Sequence, residues 1–239
     1  MRTIAIGDIH GCSKALRTVL EDIAPQGDDT VIFLGDYVDR GPDSRGVIDQ
    51  ILALEQQCHV VPLRGNHEVM LCGVLLSDLA PDLWLSAGGK ATVASYGGSL
   101  KKIPQRHVDF LQRLRPFHET DQQIFVHAGY ESDKPMSEQP DGPLYWEHLS
   151  AALPPPHQTG KRVFVGHTPQ PSGSILDGGH LVCLDTYCFG GCWLTAMDVD
   201  SGELWQADFR GHRRRDRFAE LGTGLRRLWQ RVQRTRRNP

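Results

Sequence analysis

The chain has 239 residues, 39% of them hydrophobic and 23% charged, with a formal net charge of -3. That composition excludes disordered and fibrous classes and allows a full core in one large domain. No apolar run approaches the ~20 residues of a membrane span, and MRTIAIGD turns to charge too soon for a secretory leader, so a cytoplasmic protein is expected. The six cysteines (Cys12, Cys58, Cys72, Cys183, Cys188, Cys192) form no C-x-x-C pair and read as reduced thiols used as small apolar residues.

The near-neutral balance hides an asymmetry. From Arg210 onward there are eleven arginines against Asp216 and Glu220, which leaves the body 15 of the 26 basic residues and 27 of the 29 acidic ones. Two units are therefore expected, an acidic body over 1–209 and a basic tail over 210–239. In the tail Leu221, Leu225, Leu228, Trp229 and Val232 recur at helical spacing. Such a helix either docks on the acidic body or contacts an anionic surface, lipid or nucleic acid.

In chain order, TIAIG (3–7) predicts a strand, and Ser13 caps a helix carrying Leu16, Val19, Leu20 and Ile23. TVIFLG (30–35) predicts a second strand, Asp43 to Gln56 a second helix and HVVPL (59–63) a third strand. This β-α-β-α-β rhythm implies a largely parallel sheet covered by helices. Further strands are expected at QIFVH (123–127), RVFVG (162–166), HLVCLD (180–185) and CWLTAMDV (192–199), the last facing ELWQAD (203–208) across an Asp-Ser-Gly turn. The proline-rich ALPPPHQ (152–158) reads as a surface connector. The fold class is thus α/β with two packed mixed sheets flanked by helices.

The strands end alike. GDIHG (7–11), GDYVDRG (35–41), GNHE (65–68), HAG (127–129) and GHT (166–168) each place Asp, His or Asn beside glycine just past an apolar run. In α/β sheets that edge is where ligands sit. Asp8 and His10, two apart, project to one side of a strand end and suit a common metal ion. Asp36 offers two oxygens and bridges to a second ion, whose shell Asn66, His127 and His167 complete. Oxygen and imidazole donors without thiolate suit Mn²⁺, with Fe and Zn²⁺ as alternatives. Two such ions lower the pKa of a bridging water to form hydroxide and clamp an in-line displacement at phosphorus. Arg40 is placed to hold the equatorial oxygens. His67 points elsewhere than its neighbour Asn66 and is free to protonate the leaving group, supported by Asp39.

At these residues the sequence resembles the phosphoprotein phosphatase family of dinuclear metallophosphoesterases, whose motifs GDIHG, GDYVDRG, GNHE, HAG and GHT match in order. WLSAGGKATVASYG (84–97) and LDTYCFGGCWLTAMDVDSGE, ending at Glu203, resemble its bacterial serine/threonine branch. The resemblance implies a calcineurin-like β-sandwich, with Asp8, His10 and Asp36 on one metal and Asp36, Asn66, His127 and His167 on the other. It also implies Arg40 as phosphate ligand and His67 with Asp39 as acid pair. One departure bears on the substrate. The family carries a second phosphate-binding arginine in a W-x-R stretch, and here Trp146, Glu147 and His148 stand instead. His148 is therefore the candidate for that contact.

The remaining histidines (His59, His107, His118, His157, His180, His212) read as satisfied polar residues, Glu68 as a loop support, Cys12 as packing, and Trp84, Tyr96 and Trp146 as core. The GGK at 88–90 is no P-loop, since Trp84 and Ala91 stand where it needs Gly and Ser/Thr. Three functions remain open: a serine/threonine or dual-specificity protein phosphatase acting on phosphoproteins; a dinucleoside polyphosphate (diadenosine tetraphosphate) hydrolase; and a non-catalytic binding protein that uses the basic tail.

Overall fold

Strict alternation along short apolar strands sets the layers. The computed structural model describes residues 1–77, 79–150 and 152–214. In chain order they form β1 (Thr3–Ile6), α1 (Ser13–Ile23), β2 (Thr30–Phe33), α2 (Ser44–Leu54), β3 (His59–Pro62) and α3 (Asn66–Leu76). Next come α4 (Asp82–Trp84), a wide turn at Leu85–Gly89, α5 (Lys90–Ser95), α6 (Gln105–Gln112), β4 (Phe117–Glu119) and β5 (Gln123–Val126). The chain continues through α7 (Asp141–Tyr145), β6 (Arg162–Val165), β7 (Leu176–Asp177), β8 (Leu181–Cys183), β9 (Trp193–Asp198) and β10 (Leu204–Asp208).

Ten strands make two five-stranded sheets, ordered β10-β9-β1-β2-β3 and β4-β5-β6-β8-β7. In the first, β1, β2 and β3 run parallel; in the second, β5, β6 and β8 do. Antiparallel strands complete each, so both sheets are mixed. Successive side chains on a strand point to opposite faces. Ala5, Ile32, Leu34, Phe125, Phe164 and Val182 therefore meet between the sheets. Ile4, Ile6, Val31 and Phe33 turn outward beneath α1 and α2, packing on Leu16, Val19, Val47 and Ile51. Ile124, Val126, Val163 and Val165 face the opposite outer layer, with Tyr130, Leu144 and Tyr145. With both faces of each sheet covered, continuous apolar strands are the expected composition.

Two expectations change, the cap of the first helix and the burial of Trp146. The first helix is capped at Cys12, with no side-chain bond, and Ser13 is its first residue. Within the two expected sheets, β9 and β10 cross back to β1, Ile4 pairing with Asp198 and Ala5 with Met197. Trp146 is 42% exposed, whereas Trp84 and Tyr96 are buried as expected. The Asp-Ser-Gly hairpin forms, with the Asp198 carboxylate accepting from the Asp200 and Ser201 amides. Among the described residues no helix is long and apolar enough to cross a membrane. Arg213 ends that region on an ion pair with Asp22 at 2.7 Å; the amphipathic helix expected further along the tail lies outside the described residues.

Candidate metal centre

The parallel strands of both sheets deliver their C-terminal ends to one place. Asp8 and His10 follow β1, Asp36, Asp39 and Arg40 follow β2, and Asn66 and His67 open α3 after β3. His127 follows β5 and His167 follows β6. The loops are tied by main-chain bonds: the Ile9 and His10 amides donate to Asp36 O, and the Gly11 amide to Tyr37 O. Gly65 is required by close approach, because a Cβ there would overlap the Asp36 carboxylate.

Asp36 is the hub. Its Oδ2 lies 3.3 Å from His10 Nε2 and 4.0 Å from His67 Nε2, and its Oδ1 lies 3.5 Å from His127 Nε2. Two groups of three donors lie close enough to hold ions: His10, Asp36 and His67, and Asp36, His127 and His167. Asp8 stands beside them, its two oxygens accepting from the His167 amide at 3.1 and 3.0 Å. The amide head of Asn66 sits 3.1 Å from His127 Nε2 and 3.3 Å from His167 Nδ1 and from both Asp36 oxygens.

The electrostatics test whether this set fits cations. His10 Nδ1 donates to Val38 O at 2.9 Å and His127 Nδ1 to Leu34 O at 2.8 Å, which leaves both Nε2 atoms with lone pairs facing Asp36. Burial pulls the His10 imidazole down to about 3, and burial with His127 nearby does the same to His167, so both are neutral near pH 7. Burial disfavours charge on Asp36, yet His127, His67, His10 and His167 around it hold it ionised well below the usual carboxylate range. Asp8 is pushed the other way by burial and by Asp185 and Asp36. Neutral imidazole lone pairs, carboxylate oxygens and an amide head thus converge without enough protons between them. Divalent cations satisfy such a set; an apolar or purely hydrogen-bonded core does not.

Beside this cluster His67 Nδ1 and Asp39 Oδ2 are 2.7 Å apart. Arg40, exposed at the mouth, donates from Nη1 to His10 Nε2 at 3.2 Å and lays its guanidinium 4.5 Å over the Phe189 ring. His148 is exposed and stacks on His167 with ring centroids 4.4 Å apart. All ten candidate residues therefore belong to one neighbourhood. Glu68 holds no metal position: it accepts from the Asp36, Tyr37, Val38 and Gly65 amides and so supports two site loops at once.

Four neighbours escaped the sequence reading of the site. Asp185, buried at the end of β8, acts electrostatically on Asp8. Phe189 touches both His10 and Arg40. Trp84 and Thr92 bond to Asp39. Only the segments that contain them gave a signal, through their likeness to the bacterial branch.

The calcineurin-like phosphoesterase family model matches residues 1–200, and the chain belongs to that family. It is similar to serine/threonine-protein phosphatase 1 of Salmonella typhimurium, 35% identical over 133 residues covering 52% of this chain and 57% of that protein. It is also similar to a symmetrical bis(5'-nucleosyl)-tetraphosphatase of Janthinobacterium sp., 32% identical over 54% of this chain and 44% of that protein. The chain thus matches about half the length of these relatives. A cold-active protein-tyrosine phosphatase of Shewanella sp. shares the fold, with a TM-score of 0.65 and 16% identity over 89% of this chain and 79% of that one.

Proposed function

We propose that the chain is a metal-dependent phosphomonoesterase acting on phosphoserine and phosphothreonine in proteins, with residues 1–209 as its catalytic unit and 210–239 as a basic appendage. The observation that carries this is one carboxylate, Asp36, with His10 Nε2 3.3 Å from one of its oxygens and His127 Nε2 3.5 Å from the other. Asp8, His10 and Asp36 would hold one divalent cation, and Asp36, Asn66, His127 and His167 a second, manganese being the first choice for this O/N donor set. When bound, the cations activate a water for attack and offset the charge that develops on phosphorus oxygens.

The protein groups do the rest. Arg40 binds the non-bridging oxygens through its guanidinium, whose position the Phe189 ring fixes. His67 keeps its Nδ1 proton toward Asp39 and delivers a proton from Nε2 to the leaving oxygen. His148 supplies a further phosphate contact from the rim, weaker and shorter in reach than an arginine. The exposed mouth at Arg40, Trp146 and His148 suits a phosphorylated side chain presented on a protein surface.

A second reading is supported by the tetraphosphatase relative: the same centre cleaving dinucleoside polyphosphates. Assaying a phosphoserine peptide and diadenosine tetraphosphate side by side with Mn²⁺ separates the two. Preferred turnover of the peptide is expected; preferred turnover of the dinucleotide contradicts the protein-phosphatase reading. Turnover of neither, with metal bound, leaves the binding-protein reading.

A further inference from the structure

The segment Trp84–Thr92 closes on Asp39 and Arg40, the two residues that flank the candidate metal cluster. Trp84 Nε1 donates to Asp39 Oδ2 at 2.8 Å and Thr92 Oγ1 donates to Asp39 Oδ1 at 2.6 Å. The Asp39 amide in turn donates to Thr92 Oγ1 at 2.9 Å and to Ser44 Oγ at 3.1 Å. Trp84, Thr92, Ser44, Asp39 and His67 are each at most 1% exposed. Between the two donors, the Gly88 carbonyl accepts from the Arg40 amide at 3.2 Å. Gly88 has φ of 124°, and a Cβ there would come within 2.8 Å of Arg40 Cγ. Gly89 leaves room for the Trp84 ring.

The donor chemistry fixes a proton. An indole N–H is donor only, so Asp39 Oδ2 must accept from Trp84. The same oxygen then accepts from His67 Nδ1, which must carry the hydrogen, leaving Nε2 to face the metal cluster. Thr92 on Oδ1 prevents the carboxylate from rotating out of this arrangement. We infer that Trp84 and Thr92 are positioning residues that lock Asp39, and through it the tautomer and direction of His67, for proton delivery to the leaving group. This inference rests on the acid role proposed above for His67.

The test compares esters that need leaving-group protonation with one that does not. Full-length Mn²⁺-loaded protein and its Trp84→Phe, Thr92→Val, Thr92→Ser and His67→Asn variants are assayed on phenyl phosphate and on 2,4-dinitrophenyl phosphate, with bound metal counted in each. Trp84→Phe and Thr92→Val are expected to lose about 10- to 100-fold in kcat on phenyl phosphate, to lose less than about threefold on the activated ester, and to keep their metal. Thr92→Ser, which retains the hydroxyl, is expected to recover phenyl phosphate turnover. Equal losses on both esters, no loss on either, or a serine variant as poor as valine overturn the inference while His67→Asn still discriminates between the esters. A His67→Asn variant without that bias overturns the acid role as well. Should Thr92→Val fail to fold, Trp84→Phe, which keeps an aromatic ring in the same pocket, carries the comparison alone.

Discussion

His10, Asp36, Asp39, Arg40 and His167 all have positive φ, from 45° to 71°. Each such residue costs roughly 1 kcal/mol relative to ordinary backbone, and half of the ten site residues adopt it. The strain is held by specific bonds: the Asp36 amide on Glu68, the Asp39 amide on Ser44 and Thr92, and the Arg40 amide on Gly88. Its return is direction, since left-handed turns aim successive side chains of a short loop into one pocket. Arg40 gives the sharpest check at this scale. Arg40→Ala is expected to lower kcat by about 100- to 1,000-fold while bound metal, measured by elemental analysis, stays unchanged. Metal loss instead would make Arg40 a support of the cluster. Nine of the ten candidates that the folded chain gathers stand in glycine-flanked motifs just past apolar strands, where Asp, Asn, His and Arg have few other reasons to exist, while His148 was singled out only by its place in the W-x-R stretch. Trp84, Thr92 and Phe189 were not readable as site residues, because indole, hydroxyl and phenyl groups suit packing equally well and only the folded chain shows what they touch, and Asp185 stands between Leu184 and Thr186 without the glycine that marks the other motifs.

Among elements, α3 does two jobs from its first turn. Asn66 and His67 face the metal cluster while Glu68 turns back onto four backbone N–H groups of two loops. Glu68→Gln halves the acceptor capacity, leaving one side-chain oxygen for four N–H groups. It is expected to lower stability by about 2 kcal/mol, read as a lower urea midpoint at unchanged m-value; an unchanged midpoint contradicts the role. Strands β1, β2, β3, β5, β6, β8, β9 and β10 each fall within or close to the expected runs, because buried strands carry uninterrupted apolar residues. The two-residue β7 and three-residue β4 are too short for any periodicity to register. Helix α3 went unread for another reason: its apolar residues spread around the whole cylinder, so no polar face marks its period.

At the scale of the molecule, long-range pairing is what local pattern could not supply. That β9 returns to lie beside β1 follows from the register of Ile4 on Asp198, a separation that no nearby residue encodes. Another long-range tie closes the lower end of the first sheet: Arg2 pairs with buried Asp29 and holds its carboxyl down to about 2. A folded-state pKa below the unfolded value near 3.9 stabilises the fold above about pH 4, and the contribution fades as pH falls through the folded value. Asp29→Asn should therefore cost roughly 2 kcal/mol at pH 6, with the gap to the parent narrowing between pH 4 and pH 3. A gap independent of pH contradicts the ion pair as its source. The acidic body and the arginine-rich tail were evident from counting alone, and the chain's path past Arg214 lies outside the described residues.

The proposed chemistry depends most on Asp36 serving two ions at once. Counting bound Mn²⁺ per chain by native mass spectrometry, in the parent and in Asp36→Asn, tests this directly. Two ions are expected in the parent, and in the variant the loss of both together with turnover. A parent that holds one ion or none, or a variant that keeps two, would contradict it.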